Sequence, residues 1–156
     1  MSSTPIGIDE NAPVISRDSI VIEAPLPTVW AVHTDIASWP EWHPGVGSTT
    51  LLTEGALHAG SSFRWVAEGL DVTSTVRQIH PRRRLVWDGP AHGIEGVHVW
   101  VFTAAPGGVL VGTEASWSGP PVEADIPYAQ QALDASVAQW LHGLKDRAEA
   151  GVPTHP

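Results

Sequence analysis

From Asp125 to Ala148, apolar residues recur every three or four positions: Ile126, Ala129, Leu133, Val137, Trp140 or Leu141, Leu144 and Ala148. This is the period of one face of an α-helix. About 24 residues rising 1.5 Å each make a rod of roughly 36 Å. A stripe of that length needs a whole sheet to lie against. Asp125 is placed to cap its start, Lys145 and Arg147 suit the negative end of the helix dipole, and Gly151 with Pro153 ends it.

The sheet is legible upstream. Candidate strands cover 46–54, 61–67, 70–79, 83–88, 95–104 and 109–118, separated by Ala59-Gly60, Glu68-Gly69, His80-Pro81, Gly89-Pro90 and Ala105-Pro106-Gly107-Gly108. Turn-forming residues at such short, regular spacing indicate an antiparallel meander. A further β-branched run, Ser19–Ala24, is stopped by Pro25, because proline cannot continue a ladder. A short helix is expected from Pro27, with Val29, Trp30, Val32 and His33 at helical spacing, and a second, shorter helical turn over Asp35–Pro40, ended by the proline. Trp39-Pro40-Glu41-Trp42-His43-Pro44 forms an aromatic corner. The expected class is α+β: seven antiparallel strands around one long C-terminal helix, with two short helices after strand one. Residues 1–15 read as a flexible lead-in, 16–151 as one domain and 152–156 as a tail.

Hairpin geometry propagates the facing of side chains from strand to strand. If Glu68-Gly69 is a two-residue turn, Ala67 pairs with Leu70, Trp65 with Val72 and Phe63 with Ser74, and these last four face inward with Val76. Arg64 then faces outward. Across the 105–108 loop Phe102 pairs with Val111, Trp100 with Thr113 and His98 with Ala115, and Trp117 falls near Gly96. His98, Trp100, Phe102, Thr113 and Trp117 therefore move together, and their aromatic weight points them inward. Val97, Val99 and Val101, on the other face, are apolar too. Glu114, opposite Val99, is expected outside.

Eight tryptophans against one Tyr and two Phe are unusual for 156 residues. An interior of Trp65, Trp87, Trp100, Trp117 and Trp140 with isolated polar points at Ser74, His98 and Thr113 suits a ligand cavity. A solid aromatic core with locally satisfied His and Ser is the alternative, and the residues alone leave both open.

Charge and composition exclude other classes. Eight basic against 17 acidic residues give a net charge of -9, and Lys145 is the single lysine, so no basic stripe exists to neutralise phosphates. Nucleic acid is not an expected partner. No run approaches the 18 or more apolar residues of a membrane span, and Met1 to Asn11 lacks a signal-peptide pattern, so a cytoplasmic protein without membrane insertion is expected. The absence of cysteine excludes disulfides and thiolate metal sites. The eight histidines show no His-x-His or His-Glu-x-x-His spacing, and no metal is expected.

The order of elements, together with Ala24-Pro25 followed by Val29-Trp30, the Trp39-Pro40-x-Trp42 corner, Phe63-Arg64-Trp65, His98-Val99-Trp100 and Glu114-Ala115-Ser116-Trp117, resembles the polyketide cyclase and dehydrase-like branch of the START, or Bet v 1-like (SRPBCC), helix-grip superfamily. The resemblance runs over about 17 to 150. It implies a sheet curled around the C-terminal helix, a hydrophobic cavity between them, and a hydrophobic small molecule as substrate or ligand, with no cofactor.

A cyclase needs a shaped cavity, an acid or base near an enolisable carbonyl, and donors for the developing oxyanion. His98 and His43 are the candidate acid-base groups. Ser74 and Thr113 are candidate orienting groups, with Trp39, Trp42, Phe63, Trp65, Trp87, Trp100, Trp117 and Trp140 lining the site. Two functions remain: a cofactor-independent cyclase or dehydratase that closes polyketide-type rings in natural-product biosynthesis, or a non-catalytic binder or carrier of a lipid-like or aromatic ligand. Either suits a monomer or a homodimer.

Overall fold

The computed structural model describes residues 6–67 and 69–150. One seven-stranded antiparallel sheet runs in the order β1-β7-β6-β5-β4-β3-β2, with strands β1 Val14–Ile22, β2 Val46–Leu51, β3 Ser62–Ala67, β4 Leu70–His80, β5 Arg84–Asp88, β6 Glu95–Ala105 and β7 Gly108–Ser118. Between β1 and β2 lie α1 Leu26–Thr34, a 3-10 turn Ile36–Ser38 and α2 Trp39–Trp42. After β7 come α3 Pro120–Glu123 and α4 Ile126–Ala150. This is the helix-grip fold. Gly151, expected to end the long helix, and the 152–156 tail lie outside the described residues.

Both hairpin registers are the expected ones. Trp65 pairs with Val72 and Phe63 with Ser74, while Trp100 pairs with Thr113 and His98 with Ala115. Phe63, Ser74, Val76, Trp100, Phe102 and Thr113 are buried accordingly. Four details differ from expectation. β1 begins at Val14, five residues before Ser19, and its added residues Val14–Asp18 pair with Trp117–Thr113. Pro40 opens α2 instead of ending a helix, since a proline in the first turn has no N–H to lose. β2 stops at Leu51, and α3 is an extra turn in a segment too short to show a period.

The apolar outer residues have a physical reason. Val86 and Val99 are fully buried on the face away from α4, because residues 6–9 cross that face. Arg84 Nη2 donates to the Ile6 carbonyl at 2.7 Å, and the Asp9 N–H donates to Ser116 Oγ at 3.0 Å. The edge strand β1 is closed by α4: Gln130 Nε2 donates to the Ile15 carbonyl and Lys145 Nζ to the Val21 carbonyl, each at 2.9 Å. An edge so occupied cannot pair with another chain there.

α4 also needs a gap in its own side chains. A Cβ on Gly143 would stand 2.5 Å from the Trp42 carbonyl oxygen and 3.1 Å from its ring, so the missing side chain lets the aromatic corner seat on the helix. Glycine inside a helix normally costs about 1 kcal/mol relative to alanine, yet Gly143→Ala is expected to destabilise by about 2 kcal/mol through overpacking. Denaturant titration checks the sign; a gain in stability would mean that the corner moves freely.

Candidate functional site

The face of α4 turned to the sheet centres on Trp140. Its ring lies 4.3 to 6.5 Å, centroid to centroid, from those of His33, Trp39, Trp42, His43, Trp65, Trp87, His98 and Trp100. Most of these pairs meet edge to face, the arrangement favoured by the charge distribution of aromatic rings. Trp39 is held further by its indole N–H, which donates to the His33 carbonyl at 2.8 Å. The tryptophans pack on one another, and Trp65 and Trp117 remain only half-buried.

Most of the sequence candidates come together here, but Trp117 lies apart beside Gly96 and joins none of these ring contacts; hydrogen bonding assigns part of the others' roles. His98 Nε2 is 2.8 Å from Thr113 Oγ1, and that hydroxyl gives its one proton to the Val99 carbonyl at 2.8 Å. Thr113 is therefore an acceptor toward His98, so His98 carries its proton on Nε2 and presents a bare lone pair at Nδ1. His43 has the reverse need. Its Nδ1 accepts the Gly45 N–H at 2.9 Å, so the neutral ring carries its proton on Nε2, a buried donor without a partner. Thr113 thus acts on His98 and Val99, not as the free orienting group expected from sequence. Ser74 Oγ accepts the Trp65 indole N–H at 3.0 Å. Arg64 and Glu114 lie outside, as expected, in ion pairs with Asp71 and Arg17.

Sequence reasoning missed His33. It is fully buried, stacked on Trp87 at 5.7 Å and edge-on to Trp100 at 4.4 Å, with no partner for either ring nitrogen. Its helical spacing after Val29 was the available signal, but that spacing marks a buried face without showing what the ring meets. Burial pushes the pKa of His33 down to about 3, helped by His98 nearby. His98 falls to about 3 by burial and by the proximity of His43, and burial takes His43 to about 4. All three are neutral at pH 7. Trp42 Nε1 and Trp100 Nε1 are also buried donors without partners. Among the described residues no three His, Asp or Glu groups are placed to hold a metal ion, and no helix is long and apolar enough to cross a membrane.

A sheet gripping one long helix around an aromatic interior with a few polar points defines a START-like protein for hydrophobic ligands. The family described as polyketide cyclase / dehydrase and lipid transport matches residues 13–149, and the chain belongs to it. Among solved structures it is similar to a hypothetical protein from Helicobacter pylori (20% identity, 95% of this chain and 99% of that one, TM-score 0.78). A START superfamily protein from Mycobacterium smegmatis is similar at 13% identity over 88% of this chain and 99% of that one, with a TM-score of 0.77. The di-domain ARO/CYC StfQ from the steffimycin biosynthetic pathway is 19% identical, with 89% of this chain covering 52% of that one and a TM-score of 0.72. At such identities the likeness is one of fold. No curated protein matches the chain.

Proposed function

We propose that the protein is a cofactor-independent cyclase or dehydratase that closes a ring in a polyketide-like carbonyl compound, with His98 and His43 as its catalytic pair. The observation that carries this is their opposite tautomeric setting against one ring, Trp140, at 6.0 and 4.3 Å. One presents a lone pair and the other an N–H. His98 Nδ1 takes the proton from the enolisable carbon, and the His43 Nε2–H donates to the enolate oxygen that forms. The carbanionic carbon then bonds to the second carbonyl carbon, and the resulting alkoxide takes the proton back from His98. Loss of water from this aldol completes a dehydration. His98 is only partly buried, yet its packing against Trp87 and Trp100 still disfavours the imidazolium, so the His98 cation forms beside the enolate, whose charge offsets it.

The same low basicity favours the second reading, a non-catalytic binder or carrier of an aromatic or lipid-like ligand. Turnover of an aromatic polyketide substrate by His98→Asn and His43→Phe separates the two. Catalysis is expected to fall at least a hundredfold in each variant while ligand affinity stays within about threefold. Binding without turnover in the wild type, with affinity that changes only on substituting Trp65 or Trp117, would replace the enzyme by the carrier.

A further inference from the structure

The way in to His98 lies at one end of the sheet. His98 is partly exposed, although the residues packed around it, Trp87, Trp100, Thr113, Ala115 and Trp140, are all buried. Trp87 and Ala115 flank it on β5 and β7, Trp100 is the next inward residue on β6, and Trp140 faces it from α4. The direction left open runs along β5 and β6 toward the connection between them. Every second residue of a strand shares a face, so the inward positions beyond Trp87 and His98 are Gly89 and Gly96. The Gly89 N–H donates to the Gly96 carbonyl at 2.9 Å, so the two lie side by side. A Cβ on Gly89 would stand 2.8 Å from Oγ of the buried Ser74, which places this position on the inner face. A Cβ on Gly96 would stand 3.4 Å from Cδ1 and 3.6 Å from Nε1 of Trp117, the residue opposite it on β7.

We propose that Trp117 is a specificity-determining residue: leaning over Gly96, its indole borders the passage to His98 and limits the width of the ring system that enters. The inference rests on the reading of His98 as part of the ligand site. Three observations carry it. Gly89, Gly96 and Trp117 are all partly exposed, as a passage from solvent requires. Glycine in a sheet weakens it and marks places where another group approaches closely, and here two lie side by side next to His98, leaving bare backbone as the floor. The wall beside that floor is one indole, whose flat ring suits a planar fused-ring compound. Trp117 stands diagonally across from His98, a separation that aromatic side chains span. It takes no part in the ring contacts around Trp140, so replacing it leaves those contacts in place.

Labelling of the full chain with diethyl pyrocarbonate, located by peptide mass spectrometry, tests the passage without a ligand. The reagent acylates a neutral imidazole at its lone pair, which His98 presents at Nδ1. His33, fully buried with neither ring nitrogen paired, reports any general opening of the interior. His98 is expected to label about tenfold faster in Trp117→Ala than in the wild type, and about threefold faster in Trp117→Phe, while His33 stays unlabelled in all three. Where Trp117→Ala labels His33 together with His98, the interior has loosened and Trp117→Phe decides. Binding then tests width: the affinity for four-ring 1-hydroxypyrene relative to two-ring 2-naphthol should rise about tenfold in Trp117→Ala. The proposal is overturned if His98 labels at the wild-type rate in both variants, if Trp117→Phe labels His33 and His98 alike, or if both compounds bind and their affinity ratio does not change. If neither compound binds while His98 labelling still follows Trp117, the ligand reading falls and the control of access to His98 stands.

Discussion

Acidification below pH 6.5 is expected to destabilise this protein progressively, through His33 and His98, until it unfolds. Both are neutral in the folded chain, with pKa values lowered to about 3 from an ordinary 6.5. Between those limits the unfolded chain binds more protons than the folded one, so stability falls as the pH falls and is fully present only above about 6.5. At pH 4.5 each ring withholds about two pK units of protonation free energy, on the order of 5 kcal/mol for the pair. That is comparable to the whole stability of many domains, 5 to 15 kcal/mol. His43, lowered to about 4, acts in the same direction. Circular dichroism against pH should show loss of structure near pH 4 to 5. His33→Leu should move that midpoint to lower pH without reducing stability at pH 7, because the ring it removes has no hydrogen-bond partner to lose. An acid transition identical in His33→Leu and wild type would show that His33 takes up its proton without unfolding.

Trp140→Ala is expected to be the most damaging single truncation. The ring is 2% exposed and touches the aromatic groups of both short helices and three strands. Emptying such a position costs about 3 to 5 kcal/mol, a drop in Tm of roughly 10 °C or more for a chain of this size. The void left behind is apolar-walled and the shape of an indole, so millimolar indole should restore part of the loss, as ligands do in engineered cavities. Calorimetry with and without indole makes the measurement. A variant that melts within about 2 °C of the wild type would mean that the surrounding tryptophans collapse to fill the space, and that Trp140 does not organise the interior.

Much of this was readable in the amino-acid sequence because it depends on short-range chemistry. Turn residues placed the hairpins, and a two-residue period then carried the inward facing of Phe63 and Trp65 to Ser74, and that of Trp100 to Thr113. The 3.6-residue period of Ala129, Leu133, Val137 and Leu144 defined the gripped helix. The sequence showed His98 facing inward but not its tautomer, since the proton on Nε2 follows from a Thr113 hydroxyl already committed to Val99 across the hairpin.

Other features belong to tertiary structure alone. His33 became a central ring because α1 folds back over β5 and β6 and sets it beside Trp87 and Trp100, a meeting of residues more than fifty positions apart that no local period encodes. The apolar outer face at Val86 and Val99 looked like a second interior until the segment before β1 was found across it. Whether the tryptophans line a void or fill it was likewise undetermined, because the same inward-facing residues fit both. Local spacing determines which side of an element is apolar. Only the packing of distant segments decides what each apolar side meets, how its buried polar atoms are paired, and therefore what chemistry the site can perform.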